Sequence, residues 1–360
     1  MISSDKLRDA IHQLSEKCAK YEHLSEDINK ALGMIQEISF DTRSPVREIV
    51  AIDGSSAVLW KSPSLPVGLV AARVSMVSRR YDPDRIKIAI VNDEFKDFFE
   101  VMDENDPSYM RETDDVIEII DNDDKNQMRS GTPISDKANH FMEKKELETI
   151  KLVAETREGI MILKDGPLRL PKAHRMSIIK DILEVAARHD NVVVGISKDS
   201  HEKNTSGVDD EIILNIISSS SSRSEITGYY PKHEGNDAFK IGECFARLHA
   251  RAMKWFRVDY PFESPVGIGE ILRTIACYSQ VNTMPGTPFP LMDTAHEIAV
   301  KIRQLKPSIE SKIMEYLKDE GFSGNDIIRG LTDVTGKLMT GSHHDFLDNF
   351  TRVSTAGDRH

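Results

Sequence analysis

From residue 4 to residue 38, apolar side chains recur at three- and four-residue steps: Leu7, Ile11, Leu14, Cys18, Tyr21, Leu24, Ile28, Ala31 and Ile35. That period puts them on one stripe of a long helix, which needs a partner either on the same chain or on a second copy. The pattern changes at Val46. VREIVAIDGSSA, LPVGLVAARVSMVS and RIKIAIVN are rich in strand formers and predict three consecutive strands. Residues 92–136 then turn acidic and polar, with DENDPS, ETDDVIEIIDNDDKN and SGTP, and are expected to leave the core as an insertion.

Strand and helix alternate from there. A helix over 139–157 leads to the buried strand GIMILKDGPL, then the amphipathic HRMSIIKDILEVAARHD, the strand NVVVGISKDS and the helix VDDEIILNIISSSSS. TGYYPKH and AFKIGECFARLHARAMKWFRVDYP predict antiparallel strands returning to the sheet, the latter as two strands. GIGEILRTIACYSQV, LMDTAHEIAVKIRQL and PSIESKIMEYLKDEG are helical, and a helical C-terminal extension follows over 306–360. The expected fold is α/β: a mixed sheet flanked by helices, with a long N-terminal helix and a helical C-terminal extension. The expected divisions are 1–45 for the helix, 46–305 for the main domain and 306–360 for the extension.

Composition narrows the class. The 360 residues carry 47 Lys and Arg against 59 Asp and Glu, a net charge of −12 with an isoelectric point near 5.5. That balance argues against a surface coated in basic residues for duplex DNA, since such affinity comes from neutralised phosphates. It leaves room for a nuclease whose carboxylates gather metal. Cys18, Cys244 and Cys277 stand far apart, so neither a disulfide framework nor a zinc site is encoded. No apolar run reaches the length of a membrane helix, and MISSDKLRDA lacks a signal-peptide core, so the expected location is cytoplasmic.

Two apolar strands run into Asp-Gly, at Asp53 in VAIDGSS and at Asp165 in MILKDGPL. Each would set a carboxylate at a strand end, although a single Asp-Gly is also the ordinary sequence of a turn. Hard cations such as Mg²⁺ and Mn²⁺ take oxygen ligands, and phosphodiester hydrolysis by two metals needs converging carboxylates. In the preceding helix Glu143, Glu146 and Glu148 could add one; Glu146 has the inward-facing spacing, with Glu148 in reserve. Asp259 closes an aromatic and basic strand and is a further possible ligand. His296 lies one turn into a helix after a Pro-rich loop, where an imidazole can ligate metal or carry a proton. Arg73, Arg79, Arg80, Lys198, Arg247, Arg251, Lys254 and Arg257 are candidates for a DNA channel, Lys198 also for holding a phosphate, and Trp255 and Phe256 for the core or for base stacking.

AIDGSSA, the helix around Glu146 followed by ILKDGPL, then VGISKDS, FRVDYP and PFPLMDTAHEIA occur in an order that resembles the archaeal NurA nuclease family over roughly 46–305. The resemblance implies an RNase H-like core related to the PIWI domain, and manganese- or magnesium-dependent exo- and endonuclease action on DNA, with two ions expected. It also implies a homodimer working at the nucleoid with the hexameric HerA translocase, beside the Mre11–Rad50 complex in double-strand-break end resection. Asp53 and Asp165 match the family's metal-binding aspartates and His296 its C-terminal histidine, with Glu146 as the glutamate. Where much of the family places a tyrosine before that histidine, this chain reads Thr287, Pro288 and Phe289. Two other readings stay open: a non-catalytic adaptor for the translocase, and an RNase H-like enzyme acting on RNA or hybrids.

Overall fold

In a computed structural model of the chain, the described residues are 24–38, 47–61, 66–82, 84, 87–104, 133–169, 173–197, 209–219, 227–234, 240–252, 254–279, 286 and 291–319. Helix α1 (Leu24–Met34) precedes strands β1 (Gln36–Glu37), β2 (Ile49–Lys61), β3 (Val67–Asp82) and β4 (Lys87–Asp103). Helix α2 (Ile134–Thr156), β5 (Met161–Asp165), α3 (Ala173–Arg188), β6 (Val192–Ser197) and α4 (Asp210–Ser219) supply the alternating middle. β7 (Gly228–Glu234), β8 (Ile241–Arg247) and β9 (Phe256–Pro261) come next, then α5 (Ile268–Cys277), α6 (Leu291–Val300), a 3₁₀ turn (Lys301–Leu305) and α7 (Lys306–Asp319).

The strands form one mixed nine-stranded sheet in the order β1-β7-β8-β9-β6-β5-β2-β3-β4. β2, β5 and β6 run parallel at its centre, while β9 joins β6 antiparallel and continues antiparallel through β8, β7 and β1. Parallel strands joined through helices need apolar runs buried on both faces, which explains the unbroken MILK and VVVGIS segments. The described residues divide into two compact units. One comprises Met1–Gly54, Val74–Lys96 and Lys144–Ala299; the other comprises Ser55–Arg73, Asp97–Glu143 and Val300–His360.

In the first unit the main core alternates along the strands. Ile49, Ala51, Met161, Leu163, Val192, Val194 and Ile196 pack on Ile271, Leu272 and Ile275 of α5 and Ala295 of α6. Trp255 is fully buried with Phe245, Ile213, Leu214, Ile217 and Ala31, and its indole N–H donates to the Leu214 carbonyl at 3.0 Å. Trp255 and Phe256 are therefore core residues. Ile28, Ala31 and Ile35 of the N-terminal stripe, with Leu32 beside them, pack in this same cluster, so for that part the partner lies on the same chain. The helix ends at Met34 rather than 38, and Gln36 and Glu37 pair instead with Tyr229 and Gly228. The earlier half of the stripe and the segment after Asp319 lie outside the described residues.

The second unit has its own clusters: Val70, Ala72, Met102, Ile134, Ala138 and Phe141 in one, and Leu59, Ala71 and Ile302 in another. The acidic stretch begins later than its composition implies, because β4 continues through 92–103. Asp97 forms two bonds to Arg73, at 2.6 and 2.7 Å, and in the first unit Asp93 does the same with Arg79. Acids that look like solvated surface in the sequence are the counter-ions of arginines on the neighbouring strand. Residues 105–132 fall outside the described residues.

Candidate metal centre

The parallel ladder between β2 and β5 runs from Ile49 opposite Met161 to Ile52 opposite Lys164. The next residue on each strand is an aspartate, so register alone sets Asp53 beside Asp165 although they are 112 positions apart, 165 − 53. Both follow the alternation of Ala51 and Leu163, whose side chains enter the core under α5 and α6. His296 comes down from α6 onto the same place, its Nδ1 2.9 Å from Asp53 Oδ2. One ligand atom from each of Asp53, Asp165 and His296 lies within 4.8 Å of the other two.

Asp53 does not end its strand as its Asp-Gly sequence suggests, for β2 runs on to Lys61. Asp165 does end β5: Gly166 follows at φ +94°, a conformation that favours glycine, and its N–H donates to the Ile196 carbonyl at 2.8 Å. Behind the pair, the fully buried Ser75 on β3 donates to the Ala295 carbonyl at 2.6 Å and lies 3.2 Å from the Asp53 carbonyl. One small hydroxyl thus ties the helix carrying His296 to the strand carrying Asp53. The sequence offers little signal for this residue beyond a polar side chain in an otherwise apolar strand.

The electrostatics suit a cation. Burial raises the Asp53 carboxyl above its usual range, and the negative charge of Asp165 raises it further; the hydrogen bond and charge of His296 and the Gly54 N–H partly oppose this. Asp53 is 6% exposed and the His296 side chain about half exposed, so the group runs from the core to solvent. Two carboxylates and an imidazole at this spacing match the donor set of Mn²⁺ or Mg²⁺, whose charge would relieve the repulsion between the aspartates.

The remaining candidates are placed otherwise. Glu146 is buried, but its Oε2 lies 4.0 Å from Lys164 Nζ, and Lys164 projects from the sheet face opposite Asp165. The Lys164 ammonium also donates to the Asp165 carbonyl at 2.8 Å, a lysine inside a buried strand that the sequence reading passed over. Glu148 is on the exposed side of α2, bonded to Lys145 at 2.8 Å, and Glu143 is half-buried. Asp259 is fully buried and is not in the group; its oxygens accept the Leu168 and Arg169 N–H groups and the Arg257 guanidinium.

Among the expected DNA contacts, Arg73 and Arg257 have carboxylate partners within the chain. Arg73 is held by Asp97, and Arg257 is clamped between Glu243 at 3.0 Å and Asp259 at 2.9 Å. Arg79 is bound by Asp93, and Arg247 donates to the Ala250 and Ala252 carbonyls. Arg80 and Arg251 are exposed, the former paired with Glu48 at 2.6 Å, and Lys254 Nζ sits 5.7 Å from the Phe256 ring centre. Lys198, Thr287, Pro288 and Phe289 lie outside the described residues. Among the described residues, no helix is long and apolar enough to cross a membrane.

No curated protein matches the chain. Its fold is similar to the crystal structure of the NurA nuclease from Sulfolobus solfataricus, with a TM-score of 0.54 and 16% identity over 89% of this chain and 98% of that one. A second crystal structure of NurA aligns with a TM-score of 0.53 and 10% identity over 91% of this chain and all of the other. A third, of NurA bound to dAMP and manganese, aligns with a TM-score of 0.47 and 10% identity over 82% of this chain and 93% of that one. The NurA domain family matches residues 47–300, a span that contains every member of the Asp53, Asp165 and His296 group, and the chain belongs to that family.

Proposed function

We propose that the protein is a metal-dependent deoxyribonuclease that hydrolyses DNA phosphodiester bonds, with Asp53, Asp165 and His296 as its catalytic group. The observation that carries this reading is their convergence: three residues from β2, β5 and α6, the outermost pair 243 positions apart, offer ligand atoms within 4.8 Å of one another. Membership of a nuclease family supports it. Asp53 and Asp165 would hold Mn²⁺ or Mg²⁺, with the open nitrogen of His296 serving either as a further ligand or as a proton carrier, and a second ion would need another donor; Glu146, the buried carboxylate of α2, faces Lys164.

When bound, such ions supply a hydroxide nucleophile near neutral pH and neutralise charge on the leaving 3′ oxygen. The chain's own residues do the rest. Asp53 fixes the His296 ring through Nδ1, which leaves Nε2 of a half-exposed imidazole to exchange a proton with water or the departing oxygen. Ser75 keeps α6 in register with β2, so that this proton carrier stays over the carboxylates.

The wider assignment follows the family: a homodimer acting with a HerA-type hexameric translocase and the Mre11–Rad50 pathway in DNA end resection. Net charge supports dependence on a partner, since an acidic chain whose interior arginines are committed to its own acids gains from a translocase that delivers DNA. The test is degradation of end-labelled linear DNA with Mn²⁺, Mg²⁺ or chelator, comparing wild type with Asp53→Ala and Asp165→Ala, and with RNA and hybrid strands as competitors. Cleavage of DNA that needs metal and both aspartates is expected. No cleavage, even with translocase and ATP present, would leave the non-catalytic adaptor as the better reading.

A further inference from the structure

The turn that carries the chain away from Asp165 is tied down at every backbone donor it possesses. Gly166 donates to the Ile196 carbonyl, Pro167 has no N–H, and the next two N–H groups, of Leu168 and Arg169, both donate to Oδ2 of Asp259, at 2.8 and 3.2 Å. Asp259 lies in the middle of β9 with no exposure to solvent. Its other oxygen accepts Arg257 Nε at 2.9 Å, and that guanidinium is held in turn by Glu243 on β8 at 3.0 Å.

Gly195 on β6 is the register partner of Asp259. A Cβ there would meet the Gly166 carbonyl at 2.7 Å and the Leu168 nitrogen at 2.8 Å, so the turn lies directly against the β6 backbone. Burying a carboxylate is costly, and a strand centre could be filled by an apolar side chain. Here the carboxylate is spent on two backbone groups within four residues of Asp165.

We infer that Asp259, held by Arg257, is a positioning residue that fixes the 166–169 turn and through it the Asp165 carboxylate at the metal group. The inference rests on the metal reading of Asp53, Asp165 and His296. Asp165 stands at the end of β5, one residue past the Ile52–Lys164 pairing with β2 and paired with Ile196 of β6, and the turn that follows it is bonded to Asp259 and packed directly against Gly195. Asp259→Asn disturbs this whichever way the amide sits: its NH₂ opposes either the Leu168 and Arg169 N–H groups or the Arg257 Nε–H. Gly195→Ala displaces the turn, and with it the Leu168 N–H that Asp259 accepts, while the Asp259 carboxylate itself is kept.

The experiment is a Mn²⁺ titration of the full chain, with free ion followed by electron paramagnetic resonance well below the melting temperature. Wild type, Asp53→Ala, Asp259→Asn and Gly195→Ala are compared, each with circular dichroism as a check of folding. Wild type binding and its loss in Asp53→Ala are expected, with weakening by about 10–100-fold in Asp259→Asn and in Gly195→Ala. A residue that serves global stability alone would lower the melting temperature and leave the affinity of the folded protein unchanged. Mn²⁺ affinity within twofold of wild type in the folded variants, with Asp53→Ala still defective, overturns the role of Asp259 and leaves the metal reading standing. If Asp259→Asn does not fold, Gly195→Ala decides on the same criterion. Absence of binding in wild type overturns both.

Discussion

Replacing Asp53 by Asn should make the metal-free protein more stable while making it indifferent to metal. The reason lies in two carboxylates with ligand atoms within 4.8 Å of each other, one of them buried. Two unit charges at that separation repel by about 3.5 kcal/mol at an effective dielectric constant of ~20. Against this stands the hydrogen bond to His296 Nδ1, which Asn can still partly make and whose weakening costs about 0.5–1.5 kcal/mol. The balance is a gain of roughly 2–3 kcal/mol in chelator, or about 3–4 °C in melting temperature for a chain this long. Mn²⁺ at about 100 times its dissociation constant should add ~2.7 kcal/mol to the wild type and nothing comparable to Asp53→Asn. Thermal unfolding in chelator and in Mn²⁺ reads both effects, and the order of the two proteins should reverse between conditions. A variant less stable than wild type in chelator, or one that gains as much from Mn²⁺, would refute the account of the site as two aspartates awaiting a cation.

The pH dependence has a definite sign. Because the folded Asp53 carboxyl is raised above its ordinary value of 3.8, its contribution is full below that value and is lost as pH rises through the folded pKa; urea unfolding of chelated protein should show this loss, absent from Asp53→Asn. His296→Ala should slow DNA cleavage by about 10²–10⁴-fold, measured at saturating metal, while unfolding in chelator shows only the about 0.5–1.5 kcal/mol lost with its bond to Asp53. Ser75→Ala should cost about 1–3 kcal/mol in denaturant unfolding, since it leaves the buried Ala295 carbonyl without its donor. Arg73→Ala should leave the salt slope of DNA binding unchanged, whereas Arg251→Ala should reduce it if that exposed side chain meets phosphate; binding titrations across a salt series separate the two.

Much of this protein was legible without coordinates because its signals are local. Apolar periods of two and of three to four residues locate strands and helices, and MILKD, VVVGIS and FRVDYP were each placed on a strand by pattern alone. The ends were harder. The end of the N-terminal helix and the full extent of β4 depend on partners, Tyr229 and Gly228 for one and the arginines of β3 for the other, which no local window contains.

The candidate site divides in the same way. The chain by itself singled out Asp53, Asp165 and His296 as residues able to bind a hard cation, through their chemistry, their places beside apolar runs and a resemblance of motif order. Only the tertiary structure decided that they meet, because parallel pairing of β2 with β5 sets two aspartates side by side and a later helix lowers an imidazole onto one of them. It also decided that Arg73 is paired with Asp97, and Arg257 with Glu243 and Asp259. In a sequence an arginine or an aspartate carries the same charge whether it faces water or a counter-ion; burial and geometry determine which, and both belong to the folded chain.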